Sequence, residues 1–150
     1  LARSSRHNRP LSLIMIDIDR FKAINDQFGH LGGDFTLREL AVRIKGNVRK
    51  EELFARYGGE EFAVVLPETP LDGALVVADR ILKVVSQAPF LFESKSIQVT
   101  ISAGVVTTQG ENITPIELIR RSDEKLYRPR NRAAIASAPD GAGRRILIVS

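Results

Sequence analysis

The strongest constraint on the fold is Leu11 to Ile18, a nearly continuous apolar run of Leu11, Leu13, Ile14, Met15, Ile16 and Ile18. An amphipathic helix or half-solvated strand would alternate, whereas a strand covered on both faces reads as unbroken hydrophobicity. The run is too short to cross a bilayer, and no other apolar stretch approaches the roughly 20 residues that crossing needs. A covered strand requires neighbours, and the rest of the chain supplies them. Leu53 to Tyr57 and Glu61 to Leu66 are β-prone runs separated by Gly58-Gly59, which predicts a hairpin with a tight, positive-φ glycine turn. Phe90 to Phe92 and Ile97 to Val106 read as two further strands joined through Glu93 to Ser96.

Helical patterns alternate with these strands. Phe21 to Asn25 predicts a short helix, and Gly29, Gly32 and Gly33 interrupt the chain before a longer one from about Asp34 to Asn47, whose stripe is Leu37, Leu40, Ala41, Ile44 and Val48. Thr69-Pro70 opens a third, with Ala74, Ala78, Ile81, Leu82 and Val85 on one face, ending before Pro89. Thr114-Pro115-Ile116-Glu117 is a capping box with proline in the first turn, predicting a helix to about Tyr127. The order β-α-α-β-β-α-β-β-α implies an α+β fold with a mostly antiparallel sheet flanked by helices. Ile146 to Val149 is compatible with a strand or a free end.

Composition narrows the chemistry. The 150 residues are 43% hydrophobic and contain no cysteine, which removes disulfides, thiolate metal sites and cysteine nucleophiles. Two histidines, His7 and His30, are too few for a histidine-rich zinc site, so any metal must rest on oxygen ligands. The net charge of +4 is concentrated in residues 129–150, where four arginines face one aspartate; the body is nearly neutral, and no nucleic-acid polymer is expected as a partner. With no membrane segment or signal-peptide core, a cytoplasmic location is expected.

Carboxylates at the predicted sheet end are the candidate chemical groups. If the first strand lies beside the hairpin, Asp17 and Glu60 meet and can hold Mg²⁺, which takes about six oxygen ligands. The structural alternative makes Asp17 and Asp19 a strand terminus and Glu60 and Glu61 solvated turn charges. Asn25 and Asp34 can read a purine edge, or simply cap helix ends. Lys22 can neutralise a triphosphate, with the backbone N–H groups of Arg20 and Phe21 cradling it, or face solvent. His30 reads as structural.

These residues lie in a recognisable order. Asp17-Ile-Asp-Arg-Phe-Lys-Ala-Ile-Asn-Asp-Gln-Phe-Gly-His30, Gly33-Asp34, Arg56-Tyr-Gly-Gly-Glu-Glu-Phe62 and Thr100-Ile-Ser-Ala-Gly-Val105 resemble the successive motifs of GGDEF domains, the diguanylate cyclases, in their GGEEF variant. The resemblance covers about residues 11–127. It implies a nucleotidyl-cyclase or polymerase-palm-like fold, condensation of two GTP into cyclic di-GMP with release of two pyrophosphates, and a homodimer that brings two sites face to face. It further implies Mg²⁺ or Mn²⁺ on Asp17, the Ile18 carbonyl and Glu60, with Glu60 and Glu61 catalytic. Asn25 and Asp34 are implied to bind guanine, and Gly58 and Gly59 to admit the nucleotide closely.

Three departures from the family pattern generate expectations. The inhibitory Arg-x-x-Asp motif is represented by Arg49 and Glu52, with Arg80 as a second basic contact, and the longer glutamate is expected to weaken product inhibition. The segment that usually precedes the first strand is missing, as is an upstream sensor or receiver domain, so residues 1–128 are expected to be a GGDEF domain lacking its usual start, with weak dimerisation. After Tyr127 the chain reads Arg-Pro-Arg-Asn-Arg-Ala-Ala-Ile-Ala136. Deleting one nucleotide from a family-like Tyr-Arg-Ala-Glu-Lys-Ser-Gly-Arg-Asn-Arg coding stretch produces this sequence, so residues 129–150 are expected to be an atypical, frameshift-derived tail. A GTP-binding or regulatory GGDEF module with little turnover is the alternative function.

Overall fold

The computed structural model describes residues 9–56, 58–108, 117, 120, 134–137 and 145–149. The predicted helix after Thr114, Tyr57 and the segment following Tyr127 up to residue 133 lie outside the described residues, apart from helical positions 117 and 120.

Strand β1 (Leu11–Ile18) lies at the centre of a sheet ordered β2-β3-β1-β6-β8-β7, where β2 is Leu53–Arg56, β3 Glu61–Pro67, β6 Ile101–Thr108, β7 Ala134–Ser137 and β8 Arg145–Val149. Every pairing is antiparallel except β6 with β8. Between the strands run helices α1 (Phe21–Lys45) and α2 (Leu71–Gln87), and β4 (Phe90–Phe92) pairs with β5 (Lys95–Ile97) as a separate two-stranded ribbon. The expected α+β architecture with a mostly antiparallel sheet is therefore present.

The apolar run of β1 is buried on both faces, as its pattern predicts. Ile14, Ile16 and Ile18 join Phe62, Val64 and Leu66 of β3 and Ile101, Ala103 and Val105 of β6 in the main core. Helix α1 adds Leu37, Leu40 and Ile44 to it, and α2 adds Ala74, Ala78, Ile81, Leu82 and Val85. The intervening Leu13, Met15, Ala63 and Val65 are also buried.

Two boundaries differ from the sequence reading. The predicted short and long helices are both present within the span α1, on either side of Gly29, whose backbone (φ 75°, ψ 175°) is not helical; the first runs past Asn25, the second begins before Asp34, and the break falls at that glycine alone. Gly32 and Gly33 are helical and buried; they are required by close packing, because a Cβ on Gly32 would sit 2.4 Å from the Cβ of Phe28. The predicted Ile97–Val106 strand is divided, since residues 98–100 leave the ribbon before β6 begins.

Arg43 locks α1 to the end of α2. Its guanidinium donates to the carbonyls of Val85 (3.2 Å), Ala88 (2.7 Å) and Pro89 (3.1 Å), pairs with Glu39 (3.0 Å), and lies 3.9 Å from the Phe90 ring centroid. These carbonyls are the orphan acceptors of a helix C-terminus and its exit, and a planar fork satisfies several together. Arg43→Ala is expected to lower unfolding free energy by about 2–3 kcal/mol, the scale of lost charge-assisted hydrogen bonds. Arg43→Lys should recover less than half of it, as read by urea denaturation.

Candidate active site

The site forms where the ends of β1, α1 and the β2–β3 hairpin converge. Register places Asp17 opposite Glu61 on one side and Ser102 on the other. Asp17 shares a hydrogen bond with Glu60, and its carboxyl is pushed from an ordinary value of 3.8 up to about 7. Burial is the largest cause, followed by the charges of Glu60, Glu61 and Asp19 and then by the Glu60 hydrogen bond. Asp17 as a whole residue is nonetheless exposed, so solvent screens part of this effect; the upward direction stands on the three neighbouring carboxylates.

Two carboxylates crowded onto one proton are what a hard divalent cation relieves, and oxygen-only donors suit Mg²⁺ or Mn²⁺. Ile18 has a buried side chain, leaving only its backbone for ligation. Among the described residues no three His, Asp or Glu side chains converge as a metal cluster. The donor set is thus a carboxylate pair that fits a cation completed by backbone, water or phosphate oxygen. Asp19 is committed elsewhere, accepting from the hydroxyls of Thr100 (2.8 Å) and Ser102 (2.6 Å), which ties the start of α1 to β6.

Beside the pair opens a cleft of about 430 Å³ lined by Phe21, Asn25, His30, Asp34, Leu37, Arg56, Gly59, Glu60 and Glu61. Asn25 and Asp34 reach it from either side of the Gly29 kink. Neither has a side-chain hydrogen-bond partner among the described residues, and Asp34 lies inside α1, so the capping alternative does not describe either of them. Gly33 makes room for this pair: a Cβ there would come within 1.8 Å of Asn25 Oδ1. Phe21 and Leu37 provide apolar wall, and the two unpaired polar groups suit a flat heteroaromatic edge.

The glycine turn differs from expectation. Neither Gly58 nor Gly59 has a positive φ, and register pairs Arg56 with Phe62, so five residues lie beyond the last pair of the hairpin, of which Glu61 is still in β3. A Cβ on Gly58 would lie 3.3 Å from the Glu61 side chain, a tight contact that a small shift of that side chain would relieve, whereas Gly59 faces open space at the cleft. A ligand can therefore approach Gly59 without a Cβ in the way.

Some predicted residues lie apart. Lys22 is exposed and does not line the cleft. Arg20, left-handed at φ 55°, lines a neighbouring cleft, although the N-terminus of α1 that it precedes carries no side-chain cap and keeps N–H groups available. The sequence reading missed His30, Leu37 and Arg56 as cleft residues. Arg56 adjoins the glycine motif, which is a usable signal, whereas His30 follows the Gly29 kink and looks structural without it.

A mixed sheet with a carboxylate pair and a cleft at one end has the palm-like arrangement. Residues 1–134 match the family described as diguanylate cyclase, GGDEF domain, and this chain belongs to that family. The response regulator PleD of Caulobacter vibrioides is 49% identical over 127 residues, covering 83% of this chain and 28% of PleD. The chain thus spans less than a third of that relative. Among solved structures, the active GGEEF domain of a Vibrio cholerae diguanylate cyclase superposes with a TM-score of 0.73 at 35% identity, covering 99% of this chain and 88% of that one. The GGDEF domain of DgcB from Caulobacter crescentus, solved in complex with c-di-GMP, gives 0.75 at 26% identity, covering 98% and 82%.

The raised Asp17 pKa sets a pH dependence. Between 3.8 and about 7 the folded, metal-free protein keeps a proton that the unfolded chain releases, so its stability should fall as pH rises through that window and level off above it. A cation held on Asp17 would have to expel this proton. Mn²⁺ affinity, measured by electron paramagnetic resonance, should therefore weaken progressively below pH 7, and Asp17→Asn should remove that dependence along with most of the binding.

Proposed function

We propose that this chain is a catalytic domain that condenses two GTP molecules into cyclic di-GMP and two pyrophosphates, acting as a homodimer. The observation carrying this reading is the convergence of the Asp17–Glu60 pair with Asn25 and Asp34 at one end of the sheet, the latter two without a side-chain partner among the described residues. Asp34 accepts from guanine N–H groups and Asn25 completes the purine edge, while Phe21 and Leu37 bound the base. Asp17, the Ile18 carbonyl and Glu60 hold Mg²⁺ or Mn²⁺, and Glu61 supports the phosphate end. The cation, when bound, neutralises charge developing on the phosphoryl oxygens.

Glu60 accepts the proton of a 3′-hydroxyl in this reading. The hydroxyl oxygen forms a bond to the α-phosphorus of the opposed GTP as the bond to the bridging oxygen breaks, releasing pyrophosphate. Two such transfers close the ring, so two clefts must face one another. The chain contributes mainly orientation and fixed charge. An upstream sensor or receiver domain in the full-length protein would set that geometry, and GTP as substrate favours a cytoplasmic setting; among the described residues no helix is long and apolar enough to cross a membrane.

Purified protein incubated with GTP and Mg²⁺ or Mn²⁺ should yield cyclic di-GMP by chromatography. Glu60→Gln should lower the rate at least a hundredfold, while Asp34→Ala should mainly raise KM. The regulatory alternative draws on one observation: among the described residues Arg56 is the only Arg or Lys that lines the cleft, with Lys22 and Arg20 outside it. Tight GTP binding without product would favour that alternative. For residues 129–150 we keep the frameshift origin as a proposal, which an uninterrupted coding frame shared by close relatives would refute.

Product inhibition should be weak. Glu52 turns its carboxylate back onto the Arg49 N–H (2.6 Å), closing its own turn, while Arg80 donates to the Asn47 carbonyl (3.1 Å) and so lies against the same loop. A carboxylate engaged with its own backbone is less available to a guanine edge. Calorimetry should show cyclic di-GMP binding that strengthens in Glu52→Asp; tight binding to the unmodified protein that disappears in Arg49→Ala would contradict this.

A further inference from the structure

We propose that Arg56 is a positioning residue that holds the glycine turn in the shape that brings Glu60 to Asp17. It deepens the cyclase reading and rests on it only for the kinetic consequence. Arg56 is the last residue of β2, and its Nε donates to the Gly58 carbonyl at 3.1 Å while Nη2 donates to the Gly59 carbonyl at 2.6 Å. Both glycine carbonyls are thus gathered by one planar fork. No acidic side chain pairs with Arg56 among the described residues, so its hydrogen bonds there go to the turn.

The turn needs such a constraint. Five residues separate Arg56 from its partner Phe62, and two are glycines that lose the most conformational freedom on ordering. Neither adopts the left-handed conformation that would make the turn self-specifying. The base of the hairpin is firm: Phe62 is buried, and its ring stacks on Phe54 at 5.6 Å with planes 10° apart. Hairpin pairing therefore ends at Arg56 and Phe62, and the β1 ladder holds one residue more, Glu61 opposite Asp17. From there outward the turn is held by the guanidinium on its carbonyls and by Glu61 packed over Gly58.

Lysine keeps the charge but lacks the two-pronged planar geometry, which separates positioning from electrostatics. Arg56 is exposed, so neither variant should unfold the domain. Amide hydrogen exchange of residues 57–62 in the nucleotide-free protein, together with GTP turnover, would be measured for wild type, Arg56→Ala and Arg56→Lys. Exchange in the loop should accelerate about tenfold in both variants with the sheet amides unchanged, and kcat should fall at least tenfold in both with KM changing less than threefold. Unchanged loop exchange in Arg56→Ala would overturn the proposal, as would full recovery of kcat in Arg56→Lys or a loss confined to KM, which would mark a direct ligand contact instead. If wild type makes no product, the cyclase reading fails, and the exchange measurement alone still decides whether Arg56 holds the turn.

Discussion

Everything in this site depends on the register of β1. Its antiparallel ladders to β3 and β6 put Asp17 level with Glu61 and Ser102, and a slip of one residue would exchange core and opposite faces along the whole strand. Such a slip would place Ile16 or Ile18 where the carboxylate belongs. The apolar residues of three strands therefore fix the position of one acidic group. That group is then forced against Glu60, and the electrostatic cost of their proximity is what a divalent cation removes. Core packing and the crowding of these carboxylates are two consequences of a single alignment.

The base-sized cleft depends on a different constraint, the kink in α1. Gly29 alone supplies the positive φ, and the helix resumes at once, so Phe28 and Gly32 pack closely and Asn25 comes to lie over Gly33. A straight helix would separate Asn25 and Asp34 by nine residues along its axis, about 13 Å. Folding the helix back brings both to one wall. The glycines of this region thus have distinct roles: one bends the backbone, and two accept the side chains that the bend delivers.

Much of this was legible in the sequence because the signals were local. The unbroken Leu11–Ile18 run, the stripe of α2 and the two runs around Gly58-Gly59 each predicted the observed element, and the separation of Asp17 from Glu60 was bridged by assuming that the strand lies beside the hairpin. What escaped was set by tertiary contact. Three glycines in five residues look equally disruptive, yet only packing against Phe28 and Asn25 shows that Gly32 and Gly33 belong inside a helix. The glycine pair suggested a left-handed turn, while the folded loop is longer and held by Arg56. Lys22 has the charge for a phosphate but an exposed position outside the cleft, a distinction that sequence spacing does not encode.

Diffraction from crystals grown with Mn²⁺ and a non-hydrolysable GTP analogue, using the anomalous signal of manganese, tests the account most directly. A manganese peak is expected within ligand distance of both Asp17 and Glu60, with the guanine edge against Asn25 and Asp34. Manganese bound elsewhere, or a guanine seated away from that wall, would contradict it.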